Sequence, residues 1–282
     1  MNKPSPKYRL RGNTLGRLTQ YHSTALPISR SRQALRRVPE ITLYFWIIKL
    51  LTTAMGESTA DFFVFKINPY LAVILSGVVL VIVLILQLSR RRYTAWAYWL
   101  CVTMVAVFGT MAADATHIQL GIPYVATTLF FSASLAVVFY VWYRTEKTLS
   151  IHSIVSARRE LFYWAAVMAT FALGTAAGDM TATTIGLGYF SSGLLFAVLF
   201  AVPAIAYSLG WLGEITAFWF AYIITRPLGA SFADWLGKAQ RVGGRGYGDG
   251  HVALVLTFFI VCFVLYLTIT RKDVKAARTT LH

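Results

Sequence analysis

The chain has 282 residues, of which 57% are hydrophobic and 13% are charged, and its mean hydropathy is +0.61. Soluble domains are usually about 25% charged, so this composition excludes an ordinary soluble protein and predicts a multi-pass membrane protein. A net charge of +15 would suggest nucleic acid in a soluble protein. In a membrane protein the excess of Lys and Arg instead indicates which loops are cytoplasmic, and no nucleic-acid partner is expected. Long apolar runs favour transmembrane helices over a barrel.

The N-terminal segment, residues 1–38, is polar, carries nine Lys and Arg residues, and lacks the apolar run of a signal peptide. It is predicted to be a disordered cytoplasmic tail that can lie on anionic lipid, a partner in addition to the bilayer itself. Pro39 is placed to open the first helix. A second basic cytoplasmic tail is predicted at residues 271–282.

Eight apolar spans make up the predicted transmembrane domain, residues 39–270, and each is close to the roughly 20 residues that cross a bilayer. They are predicted near residues 41–64, 70–88, 95–117, 124–143, 161–183, 189–210, 215–236 and 251–270. Turn signals such as Asn68-Pro69 separate the two members of each pair. The sequence therefore predicts an all-α integral membrane protein with eight transmembrane helices.

Every odd-numbered span carries the same pattern, which ends at an aspartate. A Trp lies fifteen residues before that aspartate, a Gly lies five residues before it, and a small residue directly precedes it. Four copies of this pattern predict internal repeats of two helices each. The aspartates are Asp61, Asp114, Asp179 and Asp234, the glycines are Gly56, Gly109, Gly174 and Gly229, and the repeats run over about 39–92, 93–150, 158–212 and 213–270.

The distribution of Lys and Arg predicts the orientation of the spans. Twenty of these residues lie in the two tails and in the loops near 88–95 and 144–160, whereas four lie on the opposite side. Because basic loops are cytoplasmic, both termini are predicted to be cytoplasmic, in a bacterial inner membrane. The repeats are then four parallel-oriented helical hairpins. Fifteen residues of helix place each aspartate about 22 Å beyond its Trp, in the outer half of the bilayer.

The small residues of the pattern allow two helices to approach closely, and so bring the four aspartates towards one axis. A charged side chain is costly in hydrocarbon, which favours a functional role for acids repeated at one depth. The sequence leaves two interpretations of these acids open. They form a shared binding site, or they are neutral or capped acids that hold the turns between paired helices.

The first repeat adds Glu57, which lies four residues before Asp61 and therefore on the same helix face. Carboxylate and hydroxyl oxygens are hard ligands, which suit a bound divalent cation such as Mn²⁺, Mg²⁺ or Ca²⁺. Two cations inside the spans, Lys49 and Arg226, are predicted to compensate the acids when the site is empty. Protonation of some acids is the alternative. The threonines that could supply further oxygens are Thr53, Thr110 and Thr175.

These features predict a transporter or channel for a small cation, with a divalent metal ahead of protons, and not an enzyme. The alternative is a membrane scaffold or accessory subunit whose acids only hold helices together. An enzyme acting on lipids ranks last, because no acid, base and nucleophile come together at either interface. No nucleotide-binding, metalloprotease or hydrolase motif lies in a suitable context.

Two strings, TLYFWIIKLLTTAMGESTAD and FWFAYIITRPLGASFADWL, carry a resemblance to a known family. They resemble a family of uncharacterised bacterial multi-pass proteins described as "membrane-anchored", and the likeness covers about residues 38–270. This sequence departs from the pattern at Pro123, where glycine is usual before Tyr124, and its long basic tail is unusual. The resemblance implies a membrane location and no particular activity.

Overall fold

The computed structural model describes residues 36–274, so most of the two predicted basic tails lies outside the described residues. The described part is all-helical and has eight long helices, as predicted. We number them α1 to α8: Leu43–Lys66, Pro69–Ser89, Ala95–Asp114, Tyr124–Glu146, Ala157–Asp179, Gly188–Ser208, Glu214–Gly237 and Asp249–Thr270. Short π-helical turns, Ala115–Gln119 and Met180–Thr184, continue α3 and α5, and 3₁₀ turns lie at Ile151–Ser153 and Gln240–Val242.

Local sequence accounts for several of the helix ends. The side chain of Asn68 accepts hydrogen bonds from the first amides of α2, directly before Pro69. The prediction that Pro39 opens the first helix was wrong. Helix α1 begins at Leu43, four residues after Pro39, because the hydroxyl of Thr42 accepts a hydrogen bond from the amide of Phe45 and so caps the helix.

Six of the eight helices are long and apolar enough to cross a membrane, which indicates a multi-pass membrane protein. The other two, α1 and α7, have 24 residues each and carry the charged residues described below. In the even-numbered helices only 17–28% of the most apolar window is buried, against 61–67% in α3 and α5. The even helices therefore form an outer layer with exposed apolar side chains around a buried inner layer.

The inner layer is a closed ring of the four odd-numbered helices. Helix α1 packs on α3, α3 on α5, α5 on α7, and α7 returns to α1. Each repeat thus contributes one inner helix, and the four aspartate patterns face a common interior.

The outer helices do not pair as simple hairpins. Helix α2 packs mainly on α3, α4 on α5, and α6 on α7, while α8 packs mainly on α1 and so completes the circle. Each outer helix therefore covers the inner helix of the next repeat rather than that of its own. The turn between the two helices of a repeat determines only the direction of the chain and not its packing neighbour.

The repeated glycines hold the ring together. A Cβ atom added to any of the four would come within 3.0 Å of a residue on the next inner helix. In each case the contacted residue lies eight positions before the repeated aspartate of its own helix. The four glycines therefore lie where successive inner helices approach most closely. The pairs are Gly56 with Ala106, Gly109 with Phe171, Gly174 with Arg226, and Gly229 with Thr53.

The repeated aromatic residues form a second set of contacts at the opposite end of the ring. In each repeat the aromatic residue before the Trp packs on the Trp of the next repeat. The ring centroids lie 5.6, 5.5, 6.2 and 5.9 Å apart for Phe45–Trp99, Tyr98–Trp164, Tyr163–Trp219 and Phe218–Trp46. Tyr98 and Tyr163 also share a buried hydroxyl hydrogen bond of 2.5 Å. This aromatic layer closes the ring at the end away from the acids.

Candidate functional site

Three of the five predicted acids come together inside the ring. Single carboxylate oxygens of Glu57, Asp61 and Asp234 all lie within 4.8 Å of one another, and the three residues are buried. Glu57 and Asp61 are one helical turn apart on α1, and Asp234 faces them from α7, because the last inner helix packs against the first. The ring closure therefore creates a carboxylate cluster from the first and fourth repeats.

Arg226 lies at the centre of the ring, one turn deeper than Glu57. Its Nη2, which carries two N–H groups, lies within hydrogen-bonding distance of Glu57 at 2.5 Å, of Thr175 at 2.6 Å and of the hydroxyl of Thr110. These three acceptors all lie four residues before their own aspartate, on three different inner helices. Arg226 is thus paired with Glu57, and its guanidinium contacts residues of the three other inner helices.

Lys238 is a further member of the site, which the repeated pattern did not single out. It follows the last residue of α7, and its Nζ lies 2.5 Å from Asp61 and 3.8 Å from Asp234. Burial lowers the pKa of Lys238, but the Asp61 and Asp234 carboxylates outweigh this effect and raise the pKa above its usual range. The one available signal was its spacing four residues after Asp234.

The loop after α7 fixes the position of Lys238. Backbone amides of residues 245–248 donate hydrogen bonds to the carbonyls of residues 235–238, at distances of 2.6 to 3.1 Å. These are the carbonyls that the end of an α-helix leaves without partners. The glycine-rich loop thus caps α7 with its own backbone and holds Lys238 beside the carboxylates.

Lys49 does not compensate the acids as predicted. Its Nζ lies over the rings of Phe171 and Tyr222, 4.0 and 4.3 Å from their centroids, and it forms no hydrogen bond or ion pair within residues 36–274. The residue is three turns deeper than Asp61 on α1. The helical period correctly puts Lys49 on the same side of α1 as the acids. It lies too far along the helix to reach them, and its ammonium group contacts aromatic rings instead.

Asp114 and Asp179 do not join the carboxylate cluster of Glu57, Asp61 and Asp234 in the described part of the chain. Each is the last residue of its α-helix and is followed by a π-helical turn. In α1 and α7 the α-helix instead continues beyond the aspartate. The predicted fourfold set of acids is therefore divided: the first and fourth repeats have clustered carboxylates, and in the second and third repeats the aspartate is followed by a π-helical turn. Such turns often occur at functional positions.

Two of the three predicted threonines belong to the site. The hydroxyl oxygens of Thr110 and Thr175 contact the guanidinium of Arg226, so they are not free to act as cation ligands. Thr53 does not reach the cluster. Its hydroxyl donates to the carbonyl of Leu50, and its side chain fills the space beside Gly229.

The chain matches a repeat family described as "Repeat of Unknown Function (DUF347)" in four places, residues 44–93, 97–148, 162–209 and 217–273. These four matches agree with the four repeats recognised in the sequence. No curated protein and no solved structure matches the chain significantly. Because the matched repeats cover more than half of its length, the chain belongs to the DUF347 repeat family.

Proposed function

We propose that this member of the DUF347 repeat family is an integral membrane transporter or channel for a small cation, with a divalent metal favoured over protons. The observation that carries the proposal is the position of Lys238, whose ammonium group lies between two buried carboxylates. A tethered cation of this kind occupies the place that a substrate cation would take. Substrate binding would then require the lysine to move aside.

The charges of the cluster favour a divalent ion. Arg226 neutralises Glu57, so that Asp61 and Asp234 remain as the two acids available to a substrate. With Lys238 in place the two carboxylates carry a net charge of −1, and without it they carry −2. A divalent cation matches the second value, and carboxylate oxygens are the ligands that Mg²⁺ and Mn²⁺ prefer.

The substrate would enter from the end of the ring that carries Lys238. The side chain of Lys238 is 21% exposed, while Arg226 is fully buried beneath the carboxylates. Below Arg226 lie Lys49 with its aromatic neighbours and then the aromatic layer. This arrangement corresponds to a site open towards one side and closed towards the other, as alternating access requires.

The proposed topology places both termini in the cytoplasm of a bacterial inner membrane, with eight crossings and the acid cluster in the outer half. Reporter fusions after residues 92 and 150 are expected to give cytoplasmic signals, because these loops are basic. A fusion after residue 243, in the loop between α7 and α8, is expected to give an external signal. An external signal after residue 92 or 150 would contradict this topology.

In liposomes, purified protein is expected to move Mn²⁺, and the Asp234→Asn variant is expected to lose most of this movement while remaining folded. Asp234 is substituted rather than Glu57 because Glu57 also forms an ion pair with Arg226. Glu57→Gln would therefore combine a structural effect with a functional one. The measurement is quenching of an enclosed metal-sensitive dye, with melting temperature in detergent as the test of folding. Mg²⁺ and proton fluxes are followed in the same vesicles.

Lys238→Met provides the matching test of the tethered cation. Removing a charged hydrogen-bonding competitor worth about 1.5–3 kcal/mol is expected to lower the apparent KM for Mn²⁺ by about tenfold or more. Lys66→Met, at the exposed end of α1, is the control and should leave KM unchanged. If Asp234→Asn transports as the wild type does, or if the wild type moves none of these ions, the cation-site proposal is wrong.

The scaffold function remains the second candidate, and the Glu57–Arg226 ion pair favours it. A buried pair that spans the ring holds helices together whether or not a substrate binds. This function predicts that Asp61→Asn and Asp234→Asn are both tolerated in cells. Transport by the wild type that fails in both variants would decide against it.

A further inference from the structure

A pocket with several charged residues in its lining lies at the opposite end of the molecule from the acid cluster. It has a volume of about 530 Å³ and is lined by three chain segments, at residues 36–40, 92–95 and 267–274. Ligand pockets commonly have volumes of about 300–1,000 Å³. This pocket is therefore large enough for a small molecule or a lipid headgroup.

Hydrogen bonds between the three segments build the pocket. The amide of Tyr93 donates to the carbonyl of Arg36 at 2.9 Å, and the amide of Glu40 donates to the carbonyl of Asp273 at 3.0 Å. The hydroxyl of Tyr93 donates to Oδ2 of Asp273. The segments before α1, before α3 and after α8 are thereby fixed to one another, although they are distant in sequence.

Three arginines give the pocket its positive side. Arg36 is paired with Glu40, whereas Arg92 and Arg271 form no ion pair within residues 36–274. Guanidinium groups bind phosphate through paired N–H groups, and two of them are free to do so here. The first turn of α3 adds backbone N–H donors to this positive side of the pocket. Its N-cap residue, Thr94, makes no side-chain hydrogen bond to them.

One acceptor in the same pocket also lacks a partner. The side chain of Asp273 is 2% exposed, and its Oδ1 accepts no hydrogen bond within the described residues, while Oδ2 is taken by Tyr93. A buried carboxylate oxygen without a donor is costly. A ligand that carries both a phosphate and an N–H donor would satisfy the arginines and Asp273 together.

The outer rim of the pocket continues into exposed apolar surface. On α8, Leu265 and Ile269 are 56% and 80% exposed, six and two residues before Arg271. Such a face suits acyl chains, and basic side chains at its edge suit headgroups. We propose that this pocket binds a phospholipid through its phosphate and its primary ammonium group, as in phosphatidylethanolamine.

The test is native mass spectrometry of the full-length protein in detergent, with added lipids and soluble phosphates. Phosphatidylethanolamine is expected to bind at least tenfold more tightly than phosphatidylcholine, whose trimethylammonium group has no N–H for Asp273. The Arg92→Gln/Arg271→Gln double variant is expected to lose this binding. Both arginines are exposed, so the variant should fold, which its melting temperature will check. Arg90→Gln is the control, because Arg90 stacks on Trp96 outside the pocket.

Each other outcome would overturn part of the proposal. Equal binding of phosphatidylcholine or phosphatidylglycerol would contradict the role of Asp273 as an ammonium acceptor. Unchanged lipid binding by the double arginine variant would contradict the site itself. Full displacement of the lipid by phosphoethanolamine or inorganic phosphate would identify a soluble phosphate compound as the ligand. None of these results depends on whether the protein transports a cation.

Discussion

Arg226→Met is expected to destabilise the protein by about 3–5 kcal/mol, the cost of leaving a buried charge without its partner. Arg226 is fully buried, and Glu57 is 3% exposed. Loss of the guanidinium removes the ion pair to Glu57 and the hydrogen bonds to Thr110 and Thr175. Four inner helices would lose their shared contact at once. The measurement is the melting temperature of the purified protein in detergent.

The Glu57→Gln/Arg226→Met double variant is the control for this prediction. It removes both charges, so it is expected to be more stable than Arg226→Met alone. Arg226→Lys is expected to recover part of the lost stability, because all three acceptors contact the single atom Nη2 and an ammonium group also carries three N–H donors. A melting temperature of Arg226→Met equal to that of the wild type would show that the pair does not stabilise the ring.

Gly174→Ala is expected to cost about 3 kcal/mol, the upper part of the usual range for overpacking a well-packed interior. The added methyl would come within 3.0 Å of Cβ and Cγ of Arg226 and of Cδ of Pro227. Cβ of Arg226 and Cδ of Pro227 are side-chain atoms bonded directly to the backbone of α7, so the helix itself would have to shift. The same shift would displace Arg226 from its acceptors.

Gly178→Ala is the matched control, since it lies one turn later on the same helix. A Cβ atom there would lie 3.7 Å from Pro227, an ordinary contact. Both substitutions gain the same helix propensity, about 1 kcal/mol, so that the difference between them isolates the packing term. Equal melting temperatures for the two variants would contradict the proposed contact between successive inner helices.

The sequence alone was sufficient for the features that depend on one helix. Apolar runs located the eight helices, and fixed offsets from the aspartate revealed the repeats that the family matches also delimit. The close packing of the four glycines followed from their spacing, and the grouping of Glu57 with Asp61 followed from the helical period. Each of these properties is determined within about fifteen residues of chain, where helix geometry fixes the distances.

The tertiary structure decided which helix faces which. Helical phase could not predict that each glycine meets the next repeat, that α8 packs on α1, or that the carboxylate of Asp234 joins those of the first repeat. It also could not distinguish Lys49, surrounded by aromatic rings, from Arg226, paired with Glu57. Lys238 entered the site because the loop after α7 folds back onto the helix end. These outcomes depend on contacts between residues far apart in sequence. The periodicity of one helix determines which face a side chain lies on, but not which other helix packs against that face.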